Sequence, residues 1–266
     1  MRETKLKTKL RCLDKGMMFV LCLIALAGCG GGGGGSSNTN NPPPAATAEG
    51  YYSGTVTGTD FSQDIGIVVL ENGEIWGLFG TNSAASFSLA GFIQGTGTSS
   101  NGTFTAPNTK IFEVDTAVNA PITATFDSTA KTITGTLPGQ SGTVNFSAGP
   151  VASSTYDYNA PATLTSITGT WTMTSGTGGT STFTVAPNGT VTGGGGNCQG
   201  SGTVMPRPSG KNVFNITVNF GATCRFANQT FTGVALSYPL SAGGQQLLVA
   251  YVDSTRSQGQ ALFGTR

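Results

Sequence analysis

From Gly50 onward the apolar positions alternate in short runs broken by turn residues. Ile65, Ile67 and Val69 alternate, Glu71-Asn72-Gly73-Glu74 supplies a turn, and Ile75 to Phe79 returns. Asn-Gly tolerates the positive φ of a tight hairpin turn, so this stretch predicts a β-hairpin. Further strands are expected at Gly50–Thr57, Ser86–Gln94, Gly102–Thr105, Pro121–Asp127, Thr132–Leu137 and Gly142–Ala148. Few segments have the apolar spacing at three and four that a helix needs. The pattern is that of an all-β chain.

The second half restarts the first. Gly169-Thr170-Trp171 parallels Gly50-Tyr51-Tyr52, Asn188-Gly189 parallels Asn72-Gly73, and Thr232-Gly233 parallels Thr134-Gly135. The spacings between partners drift, as loops of different length in two related lobes would make them. The expected organisation is a first β lobe at 49–148, a linker at 149–166 rich in small residues and proline, and a second β lobe at 167–266. An antiparallel sheet of seven or eight strands hides its edges by closing into a barrel or folding into a sandwich, and two tandem barrels are favoured. The glycine runs 176–179 and 193–196 read as loops.

The first 48 residues have a different texture. Residues 1–15 carry six Lys/Arg, and 17–27 form an uncharged apolar run, too short for a bilayer span of about 20 residues. The run ends in Leu26-Ala27-Gly28-Cys29, which resembles the lipobox of bacterial lipoproteins. That resemblance implies cleavage of residues 1–28, lipidation of Cys29, and palmitate-type anchoring to a membrane. Gly30 in the following position then favours the outer membrane. Residues 29–48, rich in Gly, Ser, Asn and Pro, are expected to act as a flexible tether. In outline the body resembles the lipocalin-like or transferrin-binding-type barrels of surface lipoproteins.

Charge and chemistry narrow the function classes. With residues 1–28 removed, seven Lys/Arg face ten Asp/Glu, a net charge of −3, and no basic patch for nucleic acid remains. The chain has no histidine, which excludes Ser-His-Asp and Cys-His catalysis and His-ligated metals. Cys198 and Cys224 form an even pair; a disulfide would close a 27-residue loop, and two thiolates toward a metal are the rival reading. Glu71/Glu74 at a solvated hairpin tip, Glu113/Asp115 on a loop or edge, and Lys110, Lys131 or Lys211 beside a serine are thin grounds for an enzyme. Asp60 to Asp64 offers alternating oxygens but lacks the glycine and acidic residue of a calcium loop.

No cofactor and no metal are expected. Trp76, Tyr156 and Tyr158 are the candidates for contact with a ligand or partner. The expected function is non-enzymatic binding at the outer membrane, with an unknown protein, glycan or apolar ligand as partner. A lipocalin-like carrier holding a small apolar ligand is the alternative.

Overall fold

The computed structural model describes residues 45–113, 117–139 and 142–266. Cys29, the lipobox and most of the tether lie outside the described residues, as does Asp115. The described chain is almost wholly β-structure, in two lobes.

The second lobe is a closed barrel of eight antiparallel strands in chain order. These are β12 (Gly169–Ser175), β13 (Thr180–Val185), β14 (Thr190–Gly195), β15 (Cys198–Pro206), β16 (Phe214–Phe220), β17 (Thr230–Pro239), β18 (Gln245–Asp253) and β19 (Gly259–Thr265). Gly193 to Gly195 belong to β14, correcting the loop reading. They pair with Cys198–Gly200 of β15, and a Cβ on Gly194 would lie 2.0 Å from the Cys198 carbonyl oxygen. Close backbone approach, which only glycine permits, is what this run supplies.

The first lobe is a curled eleven-stranded sheet. Its strands are β1 (Gly50–Thr57), β2 (Ser62–Val69), β3 (Glu74–Asn82), β4 (Phe87–Thr96), β5 (Thr98–Ser100), β6 (Thr103–Ala106), β7 (Lys110–Phe112), β8 (Ala117–Asn119), β9 (Ile122–Asp127), β10 (Thr132–Gly139) and β11 (Gly142–Gly149). Several are pieces of longer strands. Gly97 alone separates β4 from β5, residues 107–109 separate β6 from β7, and Ala120-Pro121 separates β8 from β9. Joined across these breaks, the eleven become eight, and pairing of β11 with β1 brings the two ends of the order round. Pro107 and Pro121 lack the N–H that an unbroken ladder requires. The break is stitched by Ala120 N–H to the Thr109 carbonyl at 2.8 Å and Thr96 N–H to Asn108 Oδ1 at 3.0 Å.

Beyond the break the barrel does not close. β10 pairs with β9 only over Thr132–Thr136, and β8 pairs with β7. Leu137–Gly139 therefore pair with β11 on one side and leave a slit toward β8 on the other. The expectation of two closed barrels is met by one closed barrel and one split one.

Counted this way, the lobes match strand for strand. Gly73 and Gly189 both take positive φ, +79° and +81°, at the turn after the second strand. Each turn carbonyl accepts from the fourth strand, Gly73 from Gly97 N–H at 2.9 Å and Gly189 from Val204 N–H at 2.8 Å. In the first strands, Tyr52 Oη donates to the Ala48 carbonyl and Trp171 Nε1 to the Ile167 carbonyl, each four residues back at 2.8 Å. The third proposed match fails. Thr134-Gly135 sits in β10, the seventh strand of its barrel, whereas Thr232-Gly233 sits in β17, the sixth.

Each lobe has its own interior, and a third apolar cluster joins them. It takes the outward faces of β2, β3 and β4 (Val68, Trp76, Leu78, Phe92) and of β17 and β18 (Val234, Leu236, Leu248, Ala250). β3 and β18 are consequently buried on both faces. Gln246, wholly buried, clamps the lobes: Phe87 N–H donates to its Oε1 at 2.6 Å, and its Nε2 donates to the Phe87 carbonyl at 2.9 Å. Arg256 donates from Nη2 to the Gln94 and Asn108 carbonyls, both at 2.7 Å.

The aromatic contact candidates need correction on this point. Trp76, Tyr156 and Tyr158 lie in the cluster between the lobes, 1%, 6% and 7% exposed. Trp76 is covered because the outward face of β3 meets the other lobe, and Tyr156 and Tyr158 turn inward from a linker whose other residues are mostly exposed.

Candidate functional site

The slit leads to a cavity of about 740 Å³ in the first lobe. It lies among the ends of β1, β10 and β11 and the loop between β1 and β2, with Ile111 of β7 and Val118 of β8 on its far wall. Val56, Phe79, Ile93, Ile111, Leu137 and Val144 make most of its surface apolar. These side chains point inward by the two-residue period of their strands. Polar groups are in the minority: Gln63, Asn119 and Thr143, with Thr59 and the carboxylates of Asp60 and Glu113. A volume of this order falls in the range of roughly 300–1,000 Å³ typical of small-molecule pockets.

Apolar side chains also reach the rim, beside the exposed carboxylate of Asp60. Phe61, 45% exposed, and Val118, 54% exposed, are two of the three large hydrophobic side chains that the described residues expose, and both line this cavity. The Phe61 ring lies across Gly58, where a Cβ would come within 2.3 Å of it. The loop that the sequence offered as an imperfect calcium site thus carries an aromatic to the cavity mouth. Asp64 faces elsewhere, its Oδ2 accepting from Asn82 N–H at 2.8 Å.

The matching end of the second lobe is filled. Phe226, on the loop between β16 and β17, packs against Phe220 and Phe231 with ring centroids 5.5 and 4.9 Å away, and Tyr251 closes on Phe231 at 5.8 Å. Cys198 and Cys224 are joined by a disulfide that ties this loop to the start of β15. The pair thus serves to hold a plug, and the rival metal reading of the two thiols falls away.

Of the remaining catalytic candidates, Glu113 lines the first-lobe cavity, Lys131 Nζ donates to the Glu49 carbonyl at 3.4 Å, and the others are engaged elsewhere. Glu71 stays exposed at the hairpin tip but is paired: Arg207 of the other lobe donates from Nε to both its oxygens, at 2.8 and 3.1 Å. Burial raises the Glu71 pKa, but hydrogen bonds from its own backbone, Arg207 and Ser209, with the Arg207 charge, outweigh that and lower it. Lys110 Nζ donates to the Arg256 carbonyl at 2.8 Å, and Lys211 Nζ to Asn159 Oδ1 at 2.9 Å while pairing with Glu49 at 3.3 Å. Tyr158 Oη donates to the same Glu49 at 3.2 Å. Among the described residues, no three His, Cys, Asp or Glu gather as a metal site, and no helix is long and apolar enough to cross a membrane. Sequence reasoning missed Ile111, Val118 and Leu137, whose importance depends on a slit between strands that are not neighbours in sequence.

No protein-family model matches the chain, and no curated protein does. Among solved structures, a Bacteroides fragilis protein provisionally described as an outer membrane protein is 13% identical, with 82% of this chain and 97% of that one covered and a TM-score of 0.26. Transferrin binding protein B from serogroup B Neisseria meningitidis is 12% identical over 77% of this chain and 52% of its own, with a TM-score of 0.24. Transferrin binding protein B from Haemophilus parasuis is 10% identical over 80% and 62%, with a TM-score of 0.26. Similarities at this level do not transfer function.

Proposed function

We propose that the chain is a non-enzymatic, lipid-anchored binding protein of the bacterial envelope whose first barrel takes up a small apolar ligand. Between the two expected functions, the cavity favours the carrier over a module acting through its surface alone. The observation that supports it is the largely apolar cavity in one barrel, with Phe61 and Val118 at its rim, where the sister barrel is plugged. Anchoring rests on Cys29 and the preceding Leu26-Ala27-Gly28, which resemble a lipobox. A tether of Gly, Ser, Asn and Pro gives the lobes reach from the membrane.

Binding here would draw on burial of apolar surface, about 25 cal/mol per Å² removed from water. Opening of the slit between β8 and β10 offers a route in that leaves the paired strands intact. The test uses the whole chain with Cys29→Ser, purified without detergent and titrated with the neutral dye Nile red. Saturable blue-shifted emission is expected. Val118→Trp, at an exposed rim position, is expected to weaken it at least tenfold while changing stability by no more than about 0.5 kcal/mol. Emission that never saturates, or that Val118→Trp leaves unchanged, would sink the carrier reading.

A further inference from the structure

A second cavity, of about 600 Å³, lies between the lobes and beside the linker. Its walls come from β1 and β2, from the segment after β11, and from the end of β17. Unlike the first, polar and apolar groups share its lining. Three tyrosines contribute, Tyr51, Tyr156 and Tyr238, together with Asp64, Asn82 and Ser154. No lysine or arginine lines it.

The tyrosines differ in what their hydroxyls do. Tyr156 Oη donates to the Asn212 carbonyl, and Tyr238 Oη reaches Gln246 Oε1 only at 3.5 Å. Tyr51 packs its ring against Tyr156, centroids 4.7 Å apart and tilted by 54°, and its hydroxyl has no hydrogen-bond partner among the described residues. Gly66 makes room for that hydroxyl: a Cβ there would stand 2.8 Å from it. Burial pushes the Tyr51 pKa up to about 12, so the phenol keeps its proton and can both donate and accept. Asp64 commits one oxygen to Asn82 N–H and keeps the other.

We infer that this cleft is a binding site for a neutral saccharide, separate from the cavity in the first barrel. A sugar ring offers C–H groups to an aromatic wall and hydroxyls to a phenol, a carboxylate oxygen and serines. An anion finds no cation here and meets Asp64. A wholly apolar molecule would strip water from the Tyr51 hydroxyl and the Asp64 oxygen without replacing it, which is costly. A ligand in the cleft touches both lobes and the linker together, so sugar binding raises the stability of the whole described body.

The experiment is saturation-transfer NMR on the Cys29→Ser chain with glucose, N-acetylglucosamine, maltose and cellobiose at millimolar concentration. Transfer to at least one sugar is expected. Tyr51→Phe, which keeps the ring and removes the hydroxyl, is expected to weaken binding about tenfold, the equivalent of about 1.4 kcal/mol. Ser154→Trp, at an exposed linker position, fills the cleft and is expected to abolish transfer with the melting midpoint unchanged. Val118→Trp is expected to leave the sugar signal intact, which separates this site from the barrel cavity. Absence of transfer from all four sugars, or transfer that persists undiminished in Ser154→Trp, would overturn the inference. If Ser154→Trp shifts the midpoint, the Tyr51→Phe titration decides alone.

Discussion

The two lobes share a strand order and differ at one end. In the second, a loop pinned by Cys198–Cys224 drops Phe226 among Phe220, Phe231 and Tyr251. In the first, the corresponding strands carry Phe112 and Ala117 either side of a short connection, the wall splits, and a cavity of about 740 Å³ remains. A barrel of eight strands is just wide enough either to be filled by its own side chains or to hold one small ligand. In this chain one barrel is filled and the other keeps a cavity. Whether such a barrel binds is decided by what its end loops put into it, more than by its strands.

Removing the plug is the strongest way to break the contrast. Phe226→Ala is expected to cost about 3–5 kcal/mol in denaturant unfolding, as large-to-small changes in a packed core do. It should also give the second lobe dye binding of its own, read as a second site in the Nile red titration. A loss below about 1 kcal/mol would mean that the second barrel was never packed around it. Reduction of the disulfide should act in the same direction, by about 3 kcal/mol for a loop of this length.

The clamp between the lobes comes next. Gln246→Ala strands the Phe87 N–H and carbonyl in a dry interface, at an expected cost of about 1–3 kcal/mol. Calorimetry should then show one transition splitting toward two, the split lobe melting first. A single unchanged transition would show that the lobes do not depend on the clamp.

The smallest effect is electrostatic. The folded-state pKa of Glu71 lies below its ordinary value of 4.5, so its contribution is present above that pH and is lost as pH falls through the depressed value. Arg207→Met should flatten that part of the acid limb of the stability curve and leave neutral pH little changed, since the pair is partly exposed. An acid limb identical in both proteins would remove Arg207 from the account.

Much of this was legible in the sequence, for local reasons. The Asn72-Gly73 turn and the glycine-aromatic strand openings follow from backbone sterics at single positions, and they proved equivalent between lobes. The cysteine pairing was legible by elimination, though not its role as the pin of a plug. Trp76, a contact candidate in the sequence, is 1% exposed because the other lobe covers the outward face of β3. The run Leu247–Val252, apolar at every position, carried the missing signal: such strands are covered on both sides. Nothing near Glu71 announces Arg207, which is 136 residues away. The slit depends on where pairing of β10 with β9 stops, and only Pro121 and Pro138 hint at it.

The wall that β2, β3 and β4 share with β17 and β18 also sets an order of events as the chain is made. The strands of the first lobe end at Gly149, but Val68, Trp76, Leu78 and Phe92, met in part by Phe112 and the linker tyrosines, lack the cover of β17 and β18 until the stretch from Val234 to Val252 arrives. For that interval a half-finished molecule offers an apolar plate to whatever is near, the kind of transient surface that invites aggregation. The length of that interval is set by the roughly 140 residues of chain that separate Phe92 of the plate from Val234 of its lid.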